Sequence, residues 1–362
     1  MNDTKFPVYV RCSTFNHAKF IEDAMNGFTM QQTNFPFVCA IIDDASTDGE
    51  PEVIRNYLQE HFNLADKSIV RNEETDDYIM TFARHKTNMN CYFAVYYLKY
   101  NHYSISKDNY SYASEWDNNA KYYGICEGDD FWIDNVKLQK QFDYLDSHPN
   151  CTMVCNRAKL YSEKKKKYVG EQYCRNSDGE LNPIDVINRT GLYIPTCSVM
   201  YNPEIRDNYP DYCQNCNVGD YPLQITAAMK GYIYYYDHAM SVYRIETTGS
   251  WSNLQKFNSI DPDRLQIVKS QVEMFKGFLQ AYPLYKDVYR IKIAEHICKN
   301  MPSWNASKAD KNKYRDFFNL EISSFNVKWR LISVLFCLPI PMKKLFYLFF
   351  LNKKYVPLKD CL

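Results

Sequence analysis

Glu127-Gly128-Asp129-Asp130-Phe131-Trp132, directly after the run Lys121–Cys126, is the stretch on which the fold turns. Three carboxylates fall within four residues where a strand-like segment (Tyr122-Tyr123-Gly124-Ile125-Cys126) runs out into a loop. Crowded like charges raise one another's pKa and cost desolvation energy, so packing gives no reason to place them there. A hard divalent cation such as Mg²⁺ or Mn²⁺ removes the repulsion, because carboxylate oxygens are its preferred ligands. Open α/β sheets also place their ligands beyond the carboxyl ends of strands. The stretch therefore marks a candidate metal and nucleotide site on an α/β fold.

Working outward, the first 150 residues alternate strand-like and helix-like segments. Phe6–Ser13 reads as a first strand, and Phe20, Ile21, Ala24, Met25 and Phe28 fall on one helix face. Phe37–Ile42 is a continuous apolar run of the buried parallel type. It ends in Asp43-Asp44-Ala45-Ser46-Thr47-Asp48-Gly49, with a helix expected through about His61. Lys67–Arg71 is expected as a short third strand, Asn90–Tyr100 as a helix and Lys121–Cys126 as the fourth strand. Asp134 can cap the next helix, with Leu138, Phe142 and Leu145 on its buried side. This order implies a mostly parallel sheet with right-handed crossovers. The polar Asn101–Asn119 reads as an inserted loop or lid, and Lys164–Lys167 as a solvated hairpin.

The 362 residues are 46% hydrophobic and 24% charged, which is a globular composition. Forty-three basic residues balance 43 acidic ones, so a general nucleic-acid binder is not expected. The 32 tyrosines are read first as strand and interface residues and second as a carbohydrate surface. Thirteen scattered cysteines suit reduced thiols in a cytoplasmic protein. Cys213 and Cys216 have C-x-x-C spacing without a second pair at zinc-ribbon distance. Met1–Lys5 lacks a basic start leading into an apolar stretch, so no signal peptide is expected.

After Ser259 the pattern turns helical. In the tail, Pro339, Pro341, Lys343 and Lys344 split Leu331–Leu351 into apolar runs of eight and seven residues. Both are far below the ~20 that span a bilayer. Lys328–Lys359 holds seven basic residues and no acidic one. Two readings stand: a segment lying on the inner membrane surface, or a helix hairpin packed on the core.

Three strand ends carry Ser13-Thr14-Phe15-Asn16, Asp43-Asp44-Ala45-Ser46-Thr47-Asp48 and Glu127-Gly128-Asp129-Asp130, all at the carboxyl edge of one expected sheet. Together with Lys137-Leu138-Gln139-Lys140-Gln141, this pattern resembles the family-2 glycosyltransferases of bacterial polysaccharide synthesis, over roughly residues 6–252. The resemblance implies a GT-A fold: a Rossmann-like, mostly parallel sheet with flanking helices over 1–258, with halves at 1–150 and 151–258. A helical region would follow over 259–362. It implies a nucleotide-sugar donor, a UDP-sugar first, contacted by Ser13, Asn16, Asp43, Asp44 and Asp129. A divalent cation would be held by Asp130 and Asp129. Many relatives carry Asp where this chain has Glu127, and Asn88 and Asn90 both match the family's Asn ahead of the fourth strand. Gly219-Asp220 matches the pair that supplies the catalytic base, which makes Asp220 the candidate, although an Asp opening a helix is also an ordinary cap. Tyr243-Arg244 matches the family's Tyr-Arg; the His-x-Gly-Gly that often follows is replaced by Glu246-Thr247-Thr248-Gly249-Ser250-Trp251.

The implied acceptor is a saccharide or a lipid-linked oligosaccharide, and the implied chemistry an inverting transfer. No Gln-x-x-Arg-Trp pattern of processive synthases is present, which favours single-sugar addition. A nucleotidyltransferase would want a Gly-rich loop after the first strand, and Ser13–Lys19 has no glycine. A non-catalytic nucleotide-sugar-binding subunit of a polysaccharide assembly complex is the other alternative.

Overall fold

The computed structural model describes residues 6–189, 193–216, 218–247 and 264–299, together with 312, 313, 316, 317 and 321. In chain order the elements are β1 (Val8–Thr14), α1 (Ile21–Thr29), β2 (Phe37–Asp43), α2 (Glu50–His61), β3 (Arg71–Glu74), β4 (Tyr78–Arg84) and β5 (Cys91–Leu98). They continue with α3 (Ser114–Asp117), β6 (Tyr122–Ile125), β7 (Phe131–Trp132), α4 (Lys137–Ser147), β8 (Cys151–Ser162), β9 (Lys167–Gln172) and β10 (Gly179–Glu180). Then come α5 (Pro183–Arg189), β11 (Met200–Tyr201), α6 (Glu204–Asp207), α7 (Asp211–Gln214), α8 (Asp220–Lys230), β12 (Tyr232–Ile245), α9 (Arg264–Ala281) and α10 (Lys286–Lys299). The chain divides into two units, one falling within 1–181, 192–208 and 230–250, the other within 182–191, 209–229 and 251–362.

The first unit is a mixed α/β fold around one twelve-stranded sheet, ordered β10-β12-β8-β11-β6-β1-β2-β5-β4-β3, with β7 on β12 and β9 on β8. The parallel core expected from the apolar runs is present: β2 and β6 flank β1 in parallel, and β5 runs parallel beyond β2. All seven residues of β2 are buried, which is what an inner strand covered on both faces requires. On α1 the expected face, Ile21, Ala24, Met25 and Phe28, is buried, and Phe28 meets Trp132 edge-on at 4.9 Å. Burial of such side chains stabilises by roughly 1.5–3 kcal/mol each.

Two expectations fail here. Asn90–Tyr100 is not a helix but contains β5, hydrogen-bonded to β2 on one side and to β4 on the other. Its run Cys91-Tyr92-Phe93-Ala94-Val95-Tyr96-Tyr97-Leu98 is almost wholly buried. A short apolar run rich in aromatic residues fits an inner strand as well as a helix by period, and its length favours the strand. Lys67–Arg71 is not the third strand either. Asp66 accepts the backbone N–H groups of Ser68, Ile69 and Val70, closing a turn, and β3 begins only at Arg71. The hairpin partner β4 was missed altogether.

The insertion at 101–119 is ordered by packing rather than left as an open loop. Trp116 is buried against Phe82 at 4.5 Å, and its indole N–H donates to Tyr96 Oη at 2.8 Å. The lysine run does form the turn between β8 and β9.

The second unit is helical. Phe278 stacks on Tyr289 at 5.7 Å and meets Tyr212 at 5.0 Å, and Phe275 meets Tyr221 at 6.0 Å. Gly277 permits this: a Cβ there would lie 2.1 Å from the Tyr212 ring. Tyr221 Oη donates to the Ile187 carbonyl at 2.5 Å, and Lys292 Nζ to that of Asn188 at 3.1 Å. The tail 328–359 lies outside the described residues; among those described, no helix is long and apolar enough to cross a membrane. Ten cysteines there are free thiols, nine of them buried, Cys213 included.

Candidate functional site

The site is built where the chain changes direction. From β1 it runs to β2 and β5 on one side, then returns to β6 on the other, which makes the carboxyl ends of β1 and β6 a topological switch point, the place where open α/β sheets hold their ligands. Register sets the depth: Thr14 lies opposite Asp43, and Arg11 opposite Ile125. The acidic loop is fastened to β1 by Gly128 N–H donating to the Ser13 carbonyl at 3.0 Å and by Ser13 N–H donating to Glu127 Oε2 at 3.1 Å. Only glycine fits at 128, since a Cβ there would lie 2.6 Å from the Cβ of Thr14.

Burial raises the pKa of Glu127, opposed by the Arg11 guanidinium 3.9 Å away. Arg11 in turn lies 4.4 Å from the ring centre of Tyr110 in the insertion. The two expected metal ligands are placed differently. Asp130 is 2% exposed, and its Oδ1 accepts the backbone N–H of Arg244 at 2.8 Å. Burial first, and then the neighbouring Asp129, push its carboxyl strongly upward. Asp129 has the more open carboxylate, whose Oδ2 accepts from Thr247 Oγ1 at 3.3 Å and lies 4.0 Å from His17 Nε2.

Arg244 is a clamp for this loop. Its guanidinium donates to the Asp129 carbonyl at 2.7 Å, to Glu163 Oε1 at 3.1 Å and to the Asp23 carboxylate, with its plane 4.5 Å from the Phe131 ring centre. A planar fork with five donors can serve three partners at once.

At the same sheet edge, Asn16 takes a left-handed backbone (φ 57°), tolerated by Asn. It joins the β1 and β2 loops: its N–H donates to Ser46 Oγ at 2.8 Å, and its Oδ1 accepts from Thr47 N–H at 2.8 Å. Asp43 Oδ1 accepts from Ser46 N–H at 3.1 Å, and burial pushes its carboxyl up to about 6. Both Asp44 oxygens face the insertion, accepting from His102 N–H at 2.7 Å and Tyr103 N–H at 3.0 Å. Ser13, Asn16, Asp43, Asp44, Asp129 and Asp130 thus share one sheet edge. Asp220 belongs to the second unit, where it opens α8 and its Oδ1 accepts from Tyr221 N–H at 2.8 Å.

Glu50 is the residue that sequence reasoning missed. It is fully buried and accepts from Thr14 Oγ1, from His17 N–H at 2.8 Å and from Ser46 Oγ at 2.8 Å. An acidic residue ahead of Pro51 reads as ordinary first-turn charge on a helix, so only tertiary structure distinguishes it.

No protein-family model matches the chain. Uncharacterised proteins of Mycobacterium tuberculosis and Mycobacterium bovis are 29% identical over 245 residues, covering 66% of this chain and 58% of theirs. The chain therefore spans under two thirds of the length of these curated relatives. Among solved structures, residues 1–349 of Staphylococcus aureus TarS in complex with UDP-GlcNAc align over 94% of this chain and 78% of that one, at 13% identity and a TM-score of 0.46. The mannosyltransferase PcManGT from Pyrobaculum calidifontis, in complex with GDP-Man and Mn²⁺, aligns over 93% and 82%, at 12% identity and a TM-score of 0.47. At these scores neither likeness adds to what the chain's own residues say.

Proposed function

We propose that this protein is a metal-dependent, inverting glycosyltransferase. It moves a hexosyl or N-acetylhexosaminyl group from a nucleotide sugar, UDP-linked first among them, to a hydroxyl of a saccharide or lipid-linked acceptor. Cell-surface polysaccharide synthesis at the cytoplasmic face of the membrane is the setting that suits the basic tail. The observation that carries the reading is the meeting of three acceptor-rich strand ends at one switch point, with Asp129 on its open side.

Among the described residues, no three His, Cys, Asp or Glu side chains form a metal cage by themselves. Mg²⁺ or Mn²⁺ beside a diphosphate is held by one or two carboxylates together with phosphate oxygens and water. The donor set fits such a cation: Asp129 would hold it, with Asp130 and Arg244 fixing the loop from behind. When bound, the cation offsets charge developing on the departing diphosphate.

The remaining chemistry belongs to the chain. The bond between anomeric carbon and phosphate oxygen breaks, and the electron pair leaves with the nucleoside diphosphate. An acceptor oxygen attacks from the opposite face, inverting the configuration, and its proton passes to the Asp220 carboxylate. Ser13, Asn16, Asp43 and Asp44 shape the nucleoside pocket.

A thermal-shift screen of nucleotide sugars with Mn²⁺, followed by turnover with and without EDTA, tests the reading. Selective stabilisation by one donor and EDTA-sensitive transfer are expected. Asp220→Asn is expected to keep donor binding and abolish transfer. Turnover indifferent to EDTA, or equal loss of donor affinity in Asp220→Asn, would overturn the respective assignment. Donor binding without turnover on any acceptor would favour the non-catalytic subunit.

A further inference from the structure

We infer that His17 is a nitrogen ligand of the site's divalent cation, held in the ligating tautomer by a buried relay from Glu50 through Thr14. This builds on the proposed function only in assigning the cation to the Asp129 side of the switch point.

The hydrogen-bond geometry behind the ring carries the inference. Glu50 is fully buried and accepts at Oε2 from both the His17 N–H and Ser46 Oγ, which leaves Oε1 to the Thr14 hydroxyl. Thr14 has one hydroxyl proton, and it goes to Glu50 Oε1. His17 Nδ1 lies 3.1 Å from the same Thr14 oxygen, which is then left able only to accept. The proton of a neutral His17 ring therefore sits on Nδ1, and Nε2 presents a bare lone pair.

That lone pair faces Asp129 Oδ2 across 4.0 Å, beyond hydrogen-bond range. A cation placed there would meet a carboxylate oxygen on one side and a ring nitrogen on the other. His17 and Asp129 would together hold such an ion, one through nitrogen and one through oxygen. The relay behind the ring is what metal-ligating histidines have: a hydrogen-bond acceptor at the other nitrogen, itself anchored by a carboxylate. Gly128 keeps the ring close to the acidic loop, since a Cβ there would lie 3.2 Å from His17 Nδ1. An imidazole ligand also favours Mn²⁺ over Mg²⁺.

The test is pulsed electron paramagnetic resonance of the full chain loaded with Mn²⁺, with and without UDP, in protein carrying natural-abundance or ¹⁵N-labelled histidine. A ¹⁴N coupling that changes to ¹⁵N on labelling is expected in the wild type and needs no variant. His17→Ala is expected to lose that coupling and to weaken Mn²⁺ binding at least tenfold, with its melting curve showing that it folds. Thr14→Val, which unlocks the tautomer, is expected to weaken Mn²⁺ about tenfold with the coupling still present. Mn²⁺ bound in an Asp129-dependent way without nitrogen coupling overturns the inference and leaves the glycosyltransferase reading standing. A coupling that survives in His17→Ala overturns it equally. Failure of Mn²⁺ to bind with or without UDP overturns both.

Discussion

The backbone N–H of His102 donates to the Asp44 carboxylate across 2.7 Å, and the next N–H, that of Tyr103, takes the other oxygen at 3.0 Å. An acid expected to contact the nucleotide is thus also the anchor of the insertion. Asn101 reinforces it by donating from Nδ2 to the Asp44 carbonyl at 3.1 Å. The His102 ring is pinned between the Tyr100 carbonyl at 2.8 Å and Tyr112 Oη at 3.0 Å.

Asp44→Ala removes the acceptor of two N–H groups. A loss of about 1–3 kcal/mol is expected, because two donors are stranded at a buried site. Hydrogen exchange should speed up at 101–106 while β1 and β2 stay protected. Uniform acceleration across the sheet would contradict an anchoring role.

Gly128→Ala drives a methyl group into Thr14. A destabilisation of about 1–3 kcal/mol is expected from overpacking. Loss of nucleotide-sugar binding should exceed what the melting shift explains, since the Ser13 to Glu127 fastening must open. Calorimetric titration beside a melting curve separates the two effects.

Lys137 is fully buried, with Nζ donating to Gln141 Oε1 at 2.7 Å and lying 4.2 Å from the Trp132 ring centre. Burial lowers its pKa to about 8 from an ordinary 10.5. Between these values the unfolded chain binds more protons, so this group makes stability rise with pH from about 8 to about 10.5. Below pH 8 both states are charged and the burial cost is present in full. Lys137→Met should remove the rise and leave the protein as stable at pH 7 or more so. Denaturant midpoints at pH 7 and 10 for both proteins check it.

Asp43 behaves in the opposite direction. With its folded pKa at about 6 and its ordinary value at 3.8, the folded state holds the proton longer between those values. Stability from this group is therefore greatest below pH 4, falls as pH rises to 6, and is then constant. The span is on the order of 3 kcal/mol. Asp43→Asn should flatten this part of the profile, read as the wild-type-minus-variant difference in denaturant midpoint from pH 4 to 7.

The parallel core was legible because β1, β2 and β6 are short apolar runs ending in acidic or small polar residues, and such runs have few other uses. β5 was not, because an eight-residue aromatic run satisfies either period until its neighbours are known. The acidic strand ends were visible as motifs, but their division of labour was not. Nothing in Asp129-Asp130 says which side chain meets the Arg244 backbone, a partner 114 residues away. Glu50 was invisible for the same reason, since two of its three donors, Thr14 and His17, come from the end of β1 and the loop after it, more than thirty residues earlier. Lys137 and Gln141 were noticed as part of a motif, yet their burial beside Trp132 depends on how α4 meets the sheet.

The guanidinium at position 244 gathers α1, the turn after β8 and the acidic bend, the first of these 221 residues earlier in the chain. During synthesis, the amino-terminal strands emerge carrying every acidic residue of the bend, but the arginine that tethers it arrives long afterwards. A fragment stopped before β12 would keep the fastening of the bend to β1 but lack the bonds from Arg244 to Asp129 and Asp130.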